Sequence, residues 1–344
     1  MRTLTTETTR KKQALLLVLL AGLLLFVFLV SFCMGRYTVP ITQVIKILFS
    51  RLQAGVEPTW TVNMETVVLN VRLPRILLAC LVGCCLSAAG AAYQGVFQNP
   101  MVAPDILGAT SGAAFGAALS ILLGGSSFPV TLSAFFFSLC AVLLAYLVGE
   151  RAPGKKVVNL ILAGIMFSSI FSSGTSYIKL VADPTNQLPL ITYWLMGSLS
   201  GTKLKDLRFV VFPMAIGLCL LLLVRWRLNL LTLGDDEARA LGIHAGRLRL
   251  LVIIAATLIT SASVSVSGMI GWVGLVVPHL CRKLVGNDYR YLLPASMMTG
   301  AAFLLAVDDV SRNLLATEIP IGILTSLIGA PFFLYLLLRK EAIQ

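Results

Sequence analysis

The feature that most restricts this 344-residue chain is its succession of long apolar runs separated by short polar breaks. A hydrocarbon core about 30 Å thick needs roughly 20 apolar residues per helical crossing, because backbone polar groups in lipid must be satisfied within the segment itself. Runs at about 14–33, 73–93, 106–124, 129–149, 157–179, 208–225, 250–268, 270–284, 292–311 and 319–338 predict ten membrane helices. With 58% hydrophobic and only 12% charged residues, the chain has no stretch left for a large soluble domain. The fold class is an all-α integral membrane protein. The first run follows Arg10-Lys11-Lys12, exceeds the length of a signal-peptide core and ends without a small-x-small cleavage site, so it is expected to stay as the first helix. The eighth is short and contains Pro278, which predicts a short or broken helix.

Charge sets the expected orientation. With ten spans, 17 of the 27 Lys and Arg residues fall on the side shared by both termini, and basic loops mark the cytoplasmic side. Residues 1–13 and 339–344 are therefore read as cytoplasmic tails of a single polytopic domain, 14–338. The net charge of +12 follows from this loop bias. No basic patch with interleaved aromatics points to nucleic acid.

Few motifs suggest chemistry. GERAPGKK, Gly149 to Lys156, fits G-x-x-x-x-G-K but has Lys156 where a phosphate loop needs Ser or Thr, and it joins two apolar helices. It reads as a basic turn. The seven cysteines lie in or beside apolar runs, and Cys80, Cys84 and Cys85 have no His or carboxylate in their span to complete a metal site. No cofactor, metal or catalytic residue is expected in this chain.

Polar residues at the membrane edge are more informative, because each needs a partner or a role. Arg72 and Arg75 are expected at the outer end of the second helix, where the dipole disfavours cations and an external acidic partner would favour them. Asp308 and Arg312, four apart near the outer end of the ninth helix, can pair along one face or leave Arg312 for docking. AYQGVFQNPMVAPDILG, Ala92 to Gly108, reads as an inner-side turn broken by Pro100 and Pro104, with Asp105 available to cap the next helix. Gln94, Asn99 and Pro100 make it a candidate gate. Gly108, Gly112 and Gly116 recur every four residues, a face suited to tight packing or to lining a path.

The most polar run, TLGDDEARALGIHAGRLR from Thr232 to Arg249, lies between two spans on the predicted cytoplasmic side. Acids at its start and bases at its end match a short helix over about Asp235 to Leu241, stopped by Gly242. Such a helix is too short to hold alone in water, and docking onto another protein would hold it.

Five motifs now carry a resemblance: RLPR, GAAYQGVFQNPMVAPDILG, LGDDEARALG, SGMIGWVGLVVPHLCR and EIPIGILTSLIGAPFFLYLL. In order and spacing, over roughly residues 15–340, the chain resembles the permease subunits of iron-siderophore, haem and cobalamin ABC importers. The resemblance implies ten helices, a second permease copy, two cytoplasmic ATPase subunits that hold ATP and Mg, and a substrate-binding protein on the opposite side. It implies that Gly234, Asp235, Asp236, Glu237, Ala238, Arg239, Leu241 and Gly242, in a loop of about 228–249, couple to the ATPase. It also implies that Arg72, Arg75 and Arg312 dock the binding protein, and that helices two to five and seven to ten are related by inversion. A ferric siderophore is the expected cargo, with haem or cobalamin as alternatives in the family. An ion-gradient-driven secondary transporter is the rival from another class, and it would need an intramembrane acid, for which Asp308 and Asp309 are the candidates.

Overall fold

The structure, a computed structural model, describes residues 2–50, 59–242 and 244–338. It is all-helical. In chain order the elements are α1 (Arg2–Cys33), α2 (Ile41–Ser50), α3 (Val62–Thr66), α4 (Leu73–Val96), α5 (Ala109–Leu122), α6 (Ser127–Arg151), α7 (Lys156–Val181), α8 (Gln187–Leu195), α9 (Leu204–Leu231), α10 (Asp235–Ala240), α11 (Ala245–Ser267), α12 (Val273–Val285), α13 (Tyr289–Asn313) and α14 (Ile321–Leu338). Among the described residues seven segments are long and apolar enough to cross a membrane, α2, α5 and α14 are shorter apolar helices, and α12 is a short helix of 13 residues with Arg282 and Lys283 in its last turn. The predicted tail at 339–344, with Arg339 and Lys340, lies outside the described residues.

The core is built by small residues. α4, α11 and α13 are mostly buried, whereas α1 turns Leu15, Leu19, Leu23 and Phe26 outward, the pattern of a helix whose outer face meets lipid. A methyl group added at Gly83 would collide with the Gly300 carbonyl, and one at Gly90 with the Gly274 carbonyl. Such contacts bring α4 within backbone distance of α13 and α12, which replaces the hydrophobic drive that is absent between helices in lipid.

The second span differs from expectation. α3 runs through one widened π turn, Val67–Arg72, into α4, which gives a continuous apolar segment of 35 residues, Val62–Val96. Pro74 has no N–H for the helix ladder, and the widened turn just before it absorbs that break. Arg72 and Arg75 therefore sit inside a long helix and not at its first turn, so the dipole argument for an external acid does not apply to them.

The two halves share a pattern. In each, a long buried helix (α4, α11) is followed by an irregular segment, a short helix (α5, α12) and two further helices. α5 has 14 residues and α12 has 13, so each is about 20 Å long and crosses only part of the core. α2 and α8 were not anticipated. α2 buries Val44 and Ile47 but exposes Ile45 and Phe49, and with ten residues it is too short to span. α8 follows a turn in which Asp183 accepts from the N–H groups of Thr185 and Asn186, and these bonds hold its carboxyl below the usual range.

Candidate functional site

Three regions collect the residues singled out by sequence. At the outer ends of α1, α4 and α13 the three arginines meet three acids. Arg75 donates to both Asp308 oxygens, at 2.9–3.1 Å, and to both Glu318 oxygens, at 2.9 and 3.0 Å. Arg312 pairs with Asp308 at 3.3 Å, and also with Asp309 and with the Ser31 hydroxyl of α1. Arg72 donates to the carbonyls of Phe32 and Tyr37. Their exposures are 3% for Arg72, 6% for Arg75 and 7% for Arg312, and Asp308 is fully buried. In this structure the three arginines are turned inward: low-dielectric surroundings demand internal partners, and these three have them. Glu318 is the partly exposed member, its side chain at 29%. Exposed cations on the same side include Lys203, Lys205 and Arg208 at the start of α9.

The second region is the Ala92–Gly108 segment. The expected turn is present: Asn99 accepts from the Met101 N–H at 2.9 Å, and Asn99 and Pro100 are exposed. From there the chain climbs back into the bundle. An added methyl at Gly164 would stand 2.9 Å from Leu107 Cα, and one at Gly274 would stand 2.6 Å from Pro104 Cδ. At 1.5 Å per residue, Gly164 lies about 12 Å above the inner end of α7 and Gly274 about 16 Å above that of α12. Residues 104–107 are therefore at mid-membrane depth. Gly108, at φ +87°, caps α5 without a side-chain bond; Asp105 contributes only its carbonyl, which accepts from the Gly108 N–H at 2.7 Å. Capping by the Asp105 carboxylate is corrected accordingly.

Gln94 is buried and joins three elements. Its Oε1 accepts from Arg282 of α12 at 2.9 Å, its Nε2 reaches the Val102 carbonyl at 3.4 Å, and Arg282 also donates to the Tyr289 hydroxyl of α13. Gly112 and Gly116 are not on an open face: a methyl at either would strike the Phe137 or Ser133 carbonyl of α6. Their role is packing, because α5 and α6 approach closely there. Gly108 instead meets Ser168 of α7.

The third region is the polar island. α10 forms as expected, with Gly234 at φ +116° before it and Gly242 at φ +78° after it, conformations that glycine adopts without strain. Ala238 is buried against the bundle, while Glu237 and Leu241 are exposed. The side chains of Asp235, Asp236 and Arg239 lie outside the described residues. The links around α10 were missed by sequence reading. Gln98 donates to the Leu231 carbonyl at 2.7 Å, which ties the inner turn to the end of α9. Asn229 donates to Asp288 at 2.8 Å and accepts from the Tyr289 N–H at 2.9 Å, which ties α9 to α13. Burial alone would raise the Asp288 carboxyl, but bonds from Arg290 and Asn229 hold it below the ordinary range. Gln98 carried one signal only in retrospect, a non-glycine residue at φ +50° held in a turn.

Comparison with known proteins agrees with this architecture. The model of the FecCD transport family matches residues 23–339. The chain is 41% identical to the molybdate import system permease protein of Haemophilus influenzae, over 90% of this chain and 91% of that one. It is 40% identical to a probable iron chelatin transport system permease protein of Helicobacter pylori, over 82% and 85%. A solved structure described as an inward-facing conformation of a putative metal-chelate type ABC transporter superimposes with a TM-score of 0.82 at 39% identity, covering 92% of this chain and 97% of that one. A family match over most of the chain, a ten-helix fold and a polar inner helix between α9 and α11 together assign it: the chain belongs to the FecCD transport family and is the permease subunit of an ABC importer, a transport component whose ATP is hydrolysed by its partner ATPase.

Proposed function

We propose that this permease carries a ferric siderophore inward across the cytoplasmic membrane, as one of two permease copies above two ATPase subunits and below a substrate-binding protein. Both termini face the cytoplasm, and α10 with Gly234, Asp235, Asp236, Glu237, Ala238, Arg239, Leu241 and Gly242 sits in the ATPase. The observation that carries the mechanism is the Gln98–Leu231 bond, which joins the end of α9, just before α10, to the turn bearing Asn99 and Pro100. Movement of α10 is passed through this bond to the re-entrant segment, and through Asn229 to α13. The iron cargo is supported by the iron chelatin relative. Haem and cobalamin are alternatives, and the molybdate relative adds a fourth.

Docking of the binding protein is placed on Arg75, with Arg72 and Arg312 as its buried supports. Glu318 occupies Arg75 in the free permease, and a carboxylate of the binding protein exchanges with it. Glu318→Gln should therefore tighten docking of the loaded binding protein, measured by surface capture of the purified complex; unchanged or weaker docking removes Arg75 from the interface. The cargo and energy source are tested by uptake of iron-loaded siderophore, haem, cobalamin and molybdate in cells with this gene deleted and then restored. An uncoupler is added while ATP is maintained. Restored uptake of ferric siderophore that resists the uncoupler is the expected result, and restoration of another cargo alone refutes the iron assignment.

A further inference from the structure

Helix α2 has three faces, each of a different character. At about 100° per residue, Ile41, Ile45 and Phe49 fall along one stripe, with exposures of 59%, 49% and 57%. Val44 and Ile47 form a second stripe that is turned into the protein, in the same buried apolar cluster as Val68. Thr42, Lys46 and Ser50 form the third, and it is polar. On that side Lys46 donates to the Thr59 hydroxyl at 3.1 Å, and Thr59 donates to the Gln43 side chain at 3.1 Å. Lys46 is the only charged residue of the helix, and it lies off the apolar stripe.

The bundle fixes the depth of this helix. Lys12 is the last charged residue of α1 before its apolar run, and about twenty residues further, roughly 30 Å and the thickness of a hydrocarbon core, the helix reaches Phe32. Arg72 donates to the Phe32 carbonyl, so the end of the widened turn Val67–Arg72 stands at that edge. Val68 is one turn farther out, roughly 5 Å, and α2 packs on this turn. α2 therefore lies in the headgroup layer on the side of the bundle away from Lys12. In that layer hydrocarbon and water are stacked along the membrane normal. Stripes of opposite polarity that run the length of a helix each meet their own medium when its axis lies in the membrane plane. Tyr37, exposed just before α2, and Trp60, half-buried just after Thr59, are residue types that settle at headgroup level.

We propose that α2 is an interfacial anchor, whose Ile41, Ile45 and Phe49 side chains insert among the acyl chains of one leaflet while Thr42, Lys46 and Ser50 face headgroups and water. The partner is the lipid surface and not another protein. α2 packs on α1, whose Leu25, Phe26 and Leu29 turn outward, so the stripe continues a surface that already meets lipid. Its hold reaches the bundle by two routes. Val44 and Ile47 pack in the cluster that contains Val68, and Arg72 bonds the Phe32 and Tyr37 carbonyls on either side of the α1–α2 connection. The lipid surface thereby sets the height of the segment that carries Arg72 and Arg75, whatever the cargo.

The test uses the full complex of permease, ATPase and binding protein in vesicles of phosphatidylethanolamine and phosphatidylglycerol. The photoreactive residue p-benzoylphenylalanine is placed singly in place of Ile41, Ile45 or Phe49, in place of Thr42 on the polar face, and in place of Leu23 of α1 as a lipid-facing reference. After irradiation the adducts are identified by mass spectrometry. Phospholipid adducts are expected at Ile41, Ile45 and Phe49 in yields comparable to that at Leu23. At Thr42 the yield should be about tenfold lower, the ratio that corresponds to one large apolar side chain's preference for hydrocarbon over water. ATP hydrolysis at the wild-type level in each labelled complex shows that folded permease is being read. Adducts from the stripe to a second permease copy, to the ATPase or to the binding protein overturn the lipid assignment, and so does a phospholipid yield at Ile45 as low as that at Thr42. A second measurement needs no bulky probe: the fluorescence that Ile45→Trp adds to the wild type should be quenched by brominated phospholipid and not by iodide in the water. The reverse pattern overturns the proposal.

Discussion

Replacement of Asp308 by alanine tests the outer ion network most directly. Asp308 is fully buried and is shared by Arg75 and Arg312, at 2.9–3.1 Å and 3.3 Å. The wild-type cluster holds three arginines, Arg72, Arg75 and Arg312, against three acids, Asp308, Asp309 and Glu318. Asp308→Ala leaves one guanidinium charge in excess, with both neighbours at most 7% exposed. Removing one member of a buried pair costs about 3–5 kcal/mol because the remaining charge is uncompensated, whereas a surface pair is worth about 0–1 kcal/mol. At roughly 2 °C per kcal/mol for a chain of this size, the melting temperature should fall by about 6–10 °C. Thermal unfolding of the purified permease in detergent, followed by tryptophan fluorescence, measures this. The double variant Arg75→Met with Asp308→Ala should be more stable than Asp308→Ala alone, because it also removes a stranded charge. A loss below about 1 kcal/mol in the single variant, or simple additivity in the double, would refute the view that these arginines are held as a buried network.

Three further predictions concern packing and the inner face. Gly116→Leu should prevent α5 from seating on α6, since even a methyl there strikes the Ser133 carbonyl; the readout is loss of folded permease on size-exclusion chromatography, and normal yield would count against the contact. Gln98→Ala and Asn229→Ala together should uncouple ATP hydrolysis from uptake while the permease still copurifies with its ATPase, and full uptake in that variant would place the transmission path elsewhere. Asp288 accepts from the Arg290 N–H at the start of α13, so Asp288→Ala should lower stability by about 1 kcal/mol. Because the Asp288 carboxyl is held below its ordinary range, its contribution should be present at neutral pH and fade as pH falls below about 4, the wild-type and variant melting temperatures converging in acid.

Hydropathy and turn chemistry are local properties, and the sequence by itself determined what depends on them. Apolar run lengths determined where the helices of the bundle lie, and the acid-to-base polarity between Gly234 and Gly242 determined the short helix α10. These rest on the length of helix needed to cross lipid and on which residues can start or stop a helix. Tertiary structure alone decided how the charges are spent. Arg75 and Asp308 are 233 residues apart, and only the packing of α4 on α13 makes the guanidinium buried and satisfied instead of free for a partner. The depth of Asp105 was equally invisible: its flanking prolines signal a break, but whether the broken segment stays at the membrane surface or climbs to the centre depends on glycines far away, Gly164 and Gly274, that leave room for its backbone. The same holds for Gln98 and Asn229, ordinary polar residues in sequence that become links because the ends of α4, α9 and α13 converge around α10. A charge or a polar side chain takes its role from the partners that the fold brings to it, and in a bundle this tightly packed those partners come from distant spans.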